Sequence, residues 1–193
     1  MTLKVFFNER NEIAALLERV IEPSLLNVYQ TDLPKVMIVA AASSFEKEVL
    51  RHIEEFYKET TRHESAATFV MKKGLHRQYH QLFGWNDNNV NVFTNYFGPD
   101  CTKNFKQQLN ILEWLEVSMR DFLQLGRQRN ELVHGDFATH SLSLTPSEVQ
   151  AKYESACRFV SCIPQIIRVG TIEALPLEEG SSSPASVAYP GAK

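Results

Sequence analysis

Gly126-Arg127-Gln128-Arg129-Asn130-Glu131-Leu132-Val133-His134-Gly135-Asp136 reads as the end of a long helix that carries an arginine, an asparagine and a histidine. Gly135 is the expected left-handed residue just past the helix, which puts His134 in the last turn. There the unpaired carbonyls and the negative end of the dipole favour a protonated imidazole, a good position for a general acid. Arg129 lies five residues earlier, so at about 100° per residue the two side chains point about 140° apart. A single helix therefore does not close a site with both. Two copies crossing near a twofold axis would bring Arg129 and His134 of both chains together, because a twofold interface uses the same patch twice.

The flanking sequence extends this reading in both directions. From Pro99, a stripe of Phe105, Leu109, Leu112, Leu115, Met119 and Phe122 predicts a helical region running towards Gly126. Gly126 either breaks it or permits close approach of a neighbouring backbone, and becomes a contact point if a partner helix crosses there. Beyond the motif, Thr145-Pro146-Ser147-Glu148 is a capping box with proline in the first turn. It starts a last helix with Val149, Tyr153, Ala156, Val160 and Ile163 on one face, kinked near its end by Pro164.

Earlier in the chain, Ile13, Leu16, Leu17, Val20 and Ile21 predict a first helix from about Asn8, ended or kinked by Pro23. Asp32-Leu33-Pro34 reads as a second start, followed by Ile38, Ala42, Phe45, Val49, Ile53 and Phe56 to about Thr60. Arg62 to Phe83 is helical by pattern, with Gly74 weakening it. Its other side carries Lys72, Lys73, His76, Arg77 and His80, either a solvated face or a track for an RNA backbone. Gly84 to Asn89 is loop. Val90 to Phe97 fits a short helix closed by Gly98-Pro99 better than a strand. Trp85, Phe93, Tyr96 and Phe97 are expected to pack this excursion on the core rather than stack on bases. The expected architecture is all-α, a bundle of about five to six helices over residues 1–173, with a flexible Pro, Glu, Gly and Ser-rich tail over 174–193.

The chain has 193 residues, 44% of them hydrophobic, which suits one substantial core. Its net charge of −3 lacks the global basic signature of many nucleic-acid binders, so any RNA contact rests on a local patch. Cys101, Cys157 and Cys162 have neither a disulfide nor a zinc spacing and read as reduced packing residues of a cytoplasmic protein. Charged residues near the start argue against a signal peptide, and no run approaches the roughly 20 apolar residues of a membrane span. Carboxylates are scattered without metal-binding spacing, and no Gly-rich phosphate loop occurs, so no metal or cofactor is expected.

An arginine, a following asparagine, three further residues and then His-Gly resembles the HEPN superfamily of small all-helical proteins, many of them ribonucleases. Arg129-Asn130 with His134 fits the shorter spacing of that pattern and Arg127 with His134 the longer; Asn130 favours Arg129. The helix order resembles HEPN proteins over roughly residues 8 to 170, closest to the subgroup of prokaryotic RNA processing and defence. The resemblance implies a metal-independent endoribonuclease, active as a homodimer, in which the 2′-hydroxyl attacks the adjacent phosphorus and leaves a 2′,3′-cyclic phosphate. His134 would transfer protons and Arg129 would stabilise charge on the phosphoryl oxygens. Asn130 would orient a side chain or bind phosphate, and Arg127 would be a second substrate contact. Glu46, on the second helix, would ion-pair with a motif arginine, and Lys72, Lys73, His76 and Arg77 would support RNA. His140 reads as a loop histidine. A toxin or anti-phage effector held by an antitoxin or defence partner is the biological setting implied. The other reading is a catalytically silent helical module that binds RNA, a nucleotide or a protein.

Overall fold

The structure, a computed structural model, describes residues 3–20 and 23–172. The expectations about Ile21, the domain boundary at 173 and the tail fall outside those residues. Within them the chain is all-α: α1 (Leu3–Arg19), α2 (Pro23–Thr61), α3 (Glu64–Phe69), α4 (Asn91–Asn95), α5 (Pro99–Ile111), α6 (Glu113–His134) and α7 (Pro146–Val169). A short π-helix, Val70–Leu75, and a 3-10 turn, Tyr79–Gln81, lie between α3 and α4. Five helices are long and two are short, in keeping with the expected bundle.

The core lies where α2, α6 and α7 pack along one another, with α1 laid on α2 and α5 closing the α6–α7 side. It is strongly aromatic. Phe122 of α6 sits among Phe45 of α2, Phe159 of α7 and Phe83 of the excursion, with ring centroids 4.9–5.5 Å apart. Tyr153 stacks on Phe45 and meets the edge of Phe7, which brings α1 into the same cluster. Polar contacts fix the helix register: Lys152 of α7 reaches Asp121 of α6 at 2.7 Å, and Asn11 of α1 donates to Gln150 of α7. Arg168 near the end of α7 pairs with Glu59 near the end of α2.

Several boundaries differ from the sequence pattern for identifiable reasons. Asp32-Leu33-Pro34 does not start a helix: α2 begins at Pro23, a tolerated first-turn position, and runs straight through Pro34. Pro34 removes one helical hydrogen bond but is fully buried, so packing holds the helix through it. The next residue, Lys35, is 1% exposed, and its ammonium donates to Asp32, to the Phe137 carbonyl (3.1 Å) and to the Ala138 carbonyl (3.4 Å). What looked like a cap is a helix interior that grips the loop after α6. The helical region from Pro99 to Gly126 is two helices, broken at Leu112, whose φ of −110° and ψ of 86° leave the helical region. Arg62 to Phe83 is not one helix either. Its α-turns widen to the π-helix at Val70 and end at His76, and Arg77 takes a left-handed φ of 60°.

Other expectations hold in detail. The capping box of Thr145 and Glu148 is complete, with both reciprocal bonds formed. Asn91–Asn95 is the short helix, with the Asn89 side chain accepting from the Asn91 amide. Pro164 lies inside α7, which ends on the left-handed Gly170. No helix among the described residues is long and apolar enough to cross a membrane.

Because the Lys35 ammonium is buried and bonded to two carbonyls of the 136–140 loop, Lys35→Met leaves those acceptors to poorer partners. We expect it to lower unfolding free energy by about 1–3 kcal/mol in a urea titration. Faster amide exchange at residues 136–140 should accompany the loss.

Candidate functional site

The motif helix α6 is amphipathic, with Leu125, Leu132 and Gln128 buried and Glu131 and Val133 exposed. It is uninterrupted at Gly126, which is buried. The reason for glycine is steric: a Cβ there would sit 2.0 Å from the six-membered ring of Trp85. Gly126 is thus covered by this chain's own indole, which removes it as a contact point for a partner helix. Trp85 in turn donates its indole N–H to the His80 carbonyl at 2.8 Å and packs against Tyr79, Phe83 and Phe122. This interlock presses the 79–85 segment onto the start of the motif.

The interlock leaves a tight niche of about 10 Å³, lined by Ala42 and Phe45 of α2, Tyr79, His80 and Trp85 of the excursion, and Arg129 and Asn130 of α6. Within it Arg129 Nη1 donates to Asn130 Oδ1 at 3.1 Å, so the asparagine orients the guanidinium from the adjacent position. The Tyr79 hydroxyl is held protonated, chiefly by burial and further by the Glu46 carboxylate, with the Arg129 guanidinium opposing both. It is available as a donor rather than a base. Glu46 stays on its own: among the described residues no ion pair joins it to Arg127 or Arg129. In place of the expected carboxylate–guanidinium pair, Glu46 and Arg129 act in opposite directions on the Tyr79 hydroxyl.

His134 is in the last turn of α6 as expected, exposed and without a side-chain hydrogen bond or ion pair among the described residues. It does not line the niche. The helix is regular between them, so the angular argument stands and one chain separates its arginine from its histidine. Gly135 is not left-handed. Its φ of −95° and ψ of −170° are extended, and glycine is needed because a Cβ would lie 2.7 Å from the Glu131 carbonyl. After it, Asp136 accepts from the Ala138 amide, and its carboxyl is held below the usual range first by a Thr139 side-chain hydrogen bond. His140 lies in this same turn, its amide bonded to the Asp136 carbonyl.

The remaining candidates divide between surfaces. Arg127 lies across Trp85 from the niche, in a shallow groove with Asp87, Asn88 and Arg120. Lys72, Lys73, His76 and Arg77 are all exposed, but the π-helix and the left-handed Arg77 disperse them from one helical face. Lys73 lines a separate cleft. His80 was legible only as part of that basic face, and the structure places it beside Arg129 and Asn130 instead. No group of three or more His, Cys, Asp or Glu able to hold a metal ion occurs among the described residues.

A family model described as RiboL-PSP-HEPN matches residues 4–168, nearly all of the described chain. The chain belongs to the RiboL-PSP-HEPN family. The match spans α1 to α7 and carries the Arg129, Asn130 and His134 motif within it. No curated protein and no solved structure matches this RiboL-PSP-HEPN chain.

The indole fills the only space a larger residue at 126 would need. Gly126→Ala must therefore displace Trp85, and we expect a loss of about 1–3 kcal/mol, as for other overpacked cores. Tryptophan fluorescence should shift to the red as the ring leaves the niche. An unchanged melting curve and emission would mean that the indole does not bear on α6.

Proposed function

We propose that this protein is a metal-independent endoribonuclease that works as a homodimer, each site using Arg129 of one copy and His134 of the other. The observation that carries the reading is the contrast between the two groups. Arg129 is fixed by Asn130 inside a niche, whereas His134 stands free at the end of the same helix, turned to another side. The surface around His134 suits a second copy: Val133, Phe137 and Val36 are exposed at 51%, 40% and 41%. Apolar residues beside an unpartnered ionisable group are the expected composition of a self-complementary interface.

The chemistry follows from the residue types. The 2′-oxygen forms a bond to phosphorus as its proton leaves, the bond from phosphorus to the 5′-oxygen breaks, and a proton reaches that oxygen. The products are a 2′,3′-cyclic phosphate and a 5′-hydroxyl. The His134 imidazole, which can both accept and donate a proton, serves the proton transfers. Charge gathers on the non-bridging oxygens, where a guanidinium offers paired donors. Asn130 holds that guanidinium, and the protonated Tyr79 adds a neutral donor nearby. Arg127 is the second substrate contact, and Lys72, Lys73 and Arg77 supply local positive charge, with His76 as a hydrogen-bonding neighbour, to an otherwise acidic chain. A toxin or anti-phage role, with an antitoxin or defence partner in a cytoplasmic setting, is the biological context we propose.

The alternative is a silent module that binds RNA, a nucleotide or a protein. It draws on the His134 imidazole, which no hydrogen bond or ion pair orients among the described residues. The two readings part on purified protein incubated with total RNA in EDTA. We expect cleavage, reduced about 10²-fold or more by His134→Ala and by Arg129→Ala. Intact RNA at stoichiometric protein supports the silent module.

The composite site is tested by mixing. Arg129→Ala and His134→Ala chains, each inactive, should on subunit exchange recover about a quarter of wild-type activity, since half the dimers are mixed and each has one complete site. No recovery in differently tagged chains that a pull-down shows to have exchanged would overturn a site shared between two subunits in this way.

A further inference from the structure

The ribonuclease reading leaves unused a cleft of about 520 Å³ between α2, the π-helix and α4. Its size falls within the roughly 300–1,000 Å³ of small-molecule sites. The floor is apolar: Ile53, Leu82 and Phe93 are buried. Aromatic rings of Tyr57, Tyr96 and Phe97 flank it, and Tyr96 is 61% exposed with its hydroxyl bonded to the Gln81 carbonyl. The rim is polar. The side chains of Lys73, Gln78 and Gln81 make no hydrogen bond or ion pair among the described residues, so a cation and two amides are free to engage a ligand.

We propose that this cleft is a nucleobase subsite. A nucleotide offers a planar base with a donor and acceptor edge and, joined through its sugar, an anionic phosphate. Tyr96 and its neighbours offer stacking faces, the two glutamines can pair with the edge whichever way it presents, and Lys73 meets the phosphate. The π-helix has a part in this: it brings Lys73 and Gly74 to the wall, and irregular helical turns of this kind recur at functional sites.

Position links the cleft to the motif. The 3-10 turn Tyr79–Gln81 divides the two: Tyr79 and His80 face the niche of Arg129, while Gln81 and the preceding Gln78 face the cleft. One unpaired strand crossing this turn would set a phosphate by Arg129 and a neighbouring base in the cleft. The proposal rests on the RNA reading for its choice of ligand, and it adds where specificity is read. Sequence-specific RNA recognition favours splayed, unpaired bases stacked on aromatic side chains.

Gly74 provides the test. Its backbone is not left-handed, and a Cβ there meets only Val70 Cγ1, at 3.9 Å, so position 74 takes a side chain without backbone strain, and Gly74→Phe adds a ring at the cleft wall. On the full chain carrying His134→Ala, binding of a fluorescent single-stranded RNA hexamer is measured with and without Gly74→Phe, beside an abasic hexamer and AMP as competitor. Expected is weaker hexamer binding on the order of tenfold in Gly74→Phe at an undiminished melting temperature, with the abasic strand equally weak on the unfilled cleft. AMP that competes marks a free nucleotide as sufficient; AMP that does not marks the strand, and both keep the base in the cleft. Equal binding by Gly74→Phe in a folded protein, or by the abasic strand, overturns the subsite. Tyr96→Ala, at an exposed ring, gives the same reading should Gly74→Phe not fold. Base-dependent binding without cleavage by the wild type would end the catalytic reading and leave the subsite, and cleavage with base-independent binding would do the reverse.

Discussion

The contact of the Trp85 indole with the bare backbone of Gly126 is the constraint on which the arrangement of the site depends. An excursion that leaves the bundle after α2 returns to it through buried side chains such as Phe83 and Phe93, and beside the motif through one large ring seated where α6 has no side chain. The ring then uses its N–H to hold the His80 carbonyl and its faces to meet Tyr79, Phe83 and Phe122. Three consequences follow from one steric fit. Arg129 and Asn130 acquire a wall, the 3-10 turn is fixed between two recesses, and the excursion shares the core of the bundle. A glycine in a helix costs about 1 kcal/mol relative to alanine, and here the packing of an indole offsets that cost.

A second constraint acts at the other end of the motif. Residues 136–140 would be an unsupported loop were it not for Lys35, whose ammonium is withdrawn from water to bond two of their carbonyls. Burying an ammonium is tolerable only when its donors are used, and all the known partners, Asp32, Phe137 and Ala138, lie within one turn of α2 or in that loop. The motif is therefore held at its start by Trp85, and α6 just past its end by Lys35. Between these points the Arg129 and His134 side chains diverge by geometry alone.

How much of this was legible in the sequence depends on whether the deciding forces were local. The capping box at Thr145 and Glu148, the stripes of α6 and α7 and the short helix after Asn89 are set by neighbours within a turn or two, and the pattern showed them. Pro34 misled because a proline that opens helices locally was kept inside one by burial, a non-local effect. Gly135 was rightly read as a required glycine but for the wrong cause, since close approach to the Glu131 carbonyl and a left-handed turn leave the same letter in the sequence. Arg77 gave no warning of its left-handed backbone, and so the basic face drawn on a regular helix from Arg62 to Phe83 came apart. Of the site, the motif on α6 was visible because its three residues lie on one helix. Tyr79 and His80 were not, because only the seat of Trp85 on Gly126 brings them there.

The charge balance of the chain bears on the same point. A net charge of −3 argues against a protein that gathers nucleic acid over its whole surface. It does not argue against one that holds a short strand at a few places. Much of the negative charge is spent in pairs along helix surfaces, as with Glu48 and Glu55 around Arg51 and Glu54 beside Lys58. Among the described residues Lys72, Lys73 and Arg77 are not drawn into such pairs, and they stand on the excursion that forms one wall of the niche and of the cleft. Unpaired cations therefore stand where the backbone is irregular and the recesses are, and it is on this local placement, not on overall charge, that the proposed recognition of a few nucleotides rests.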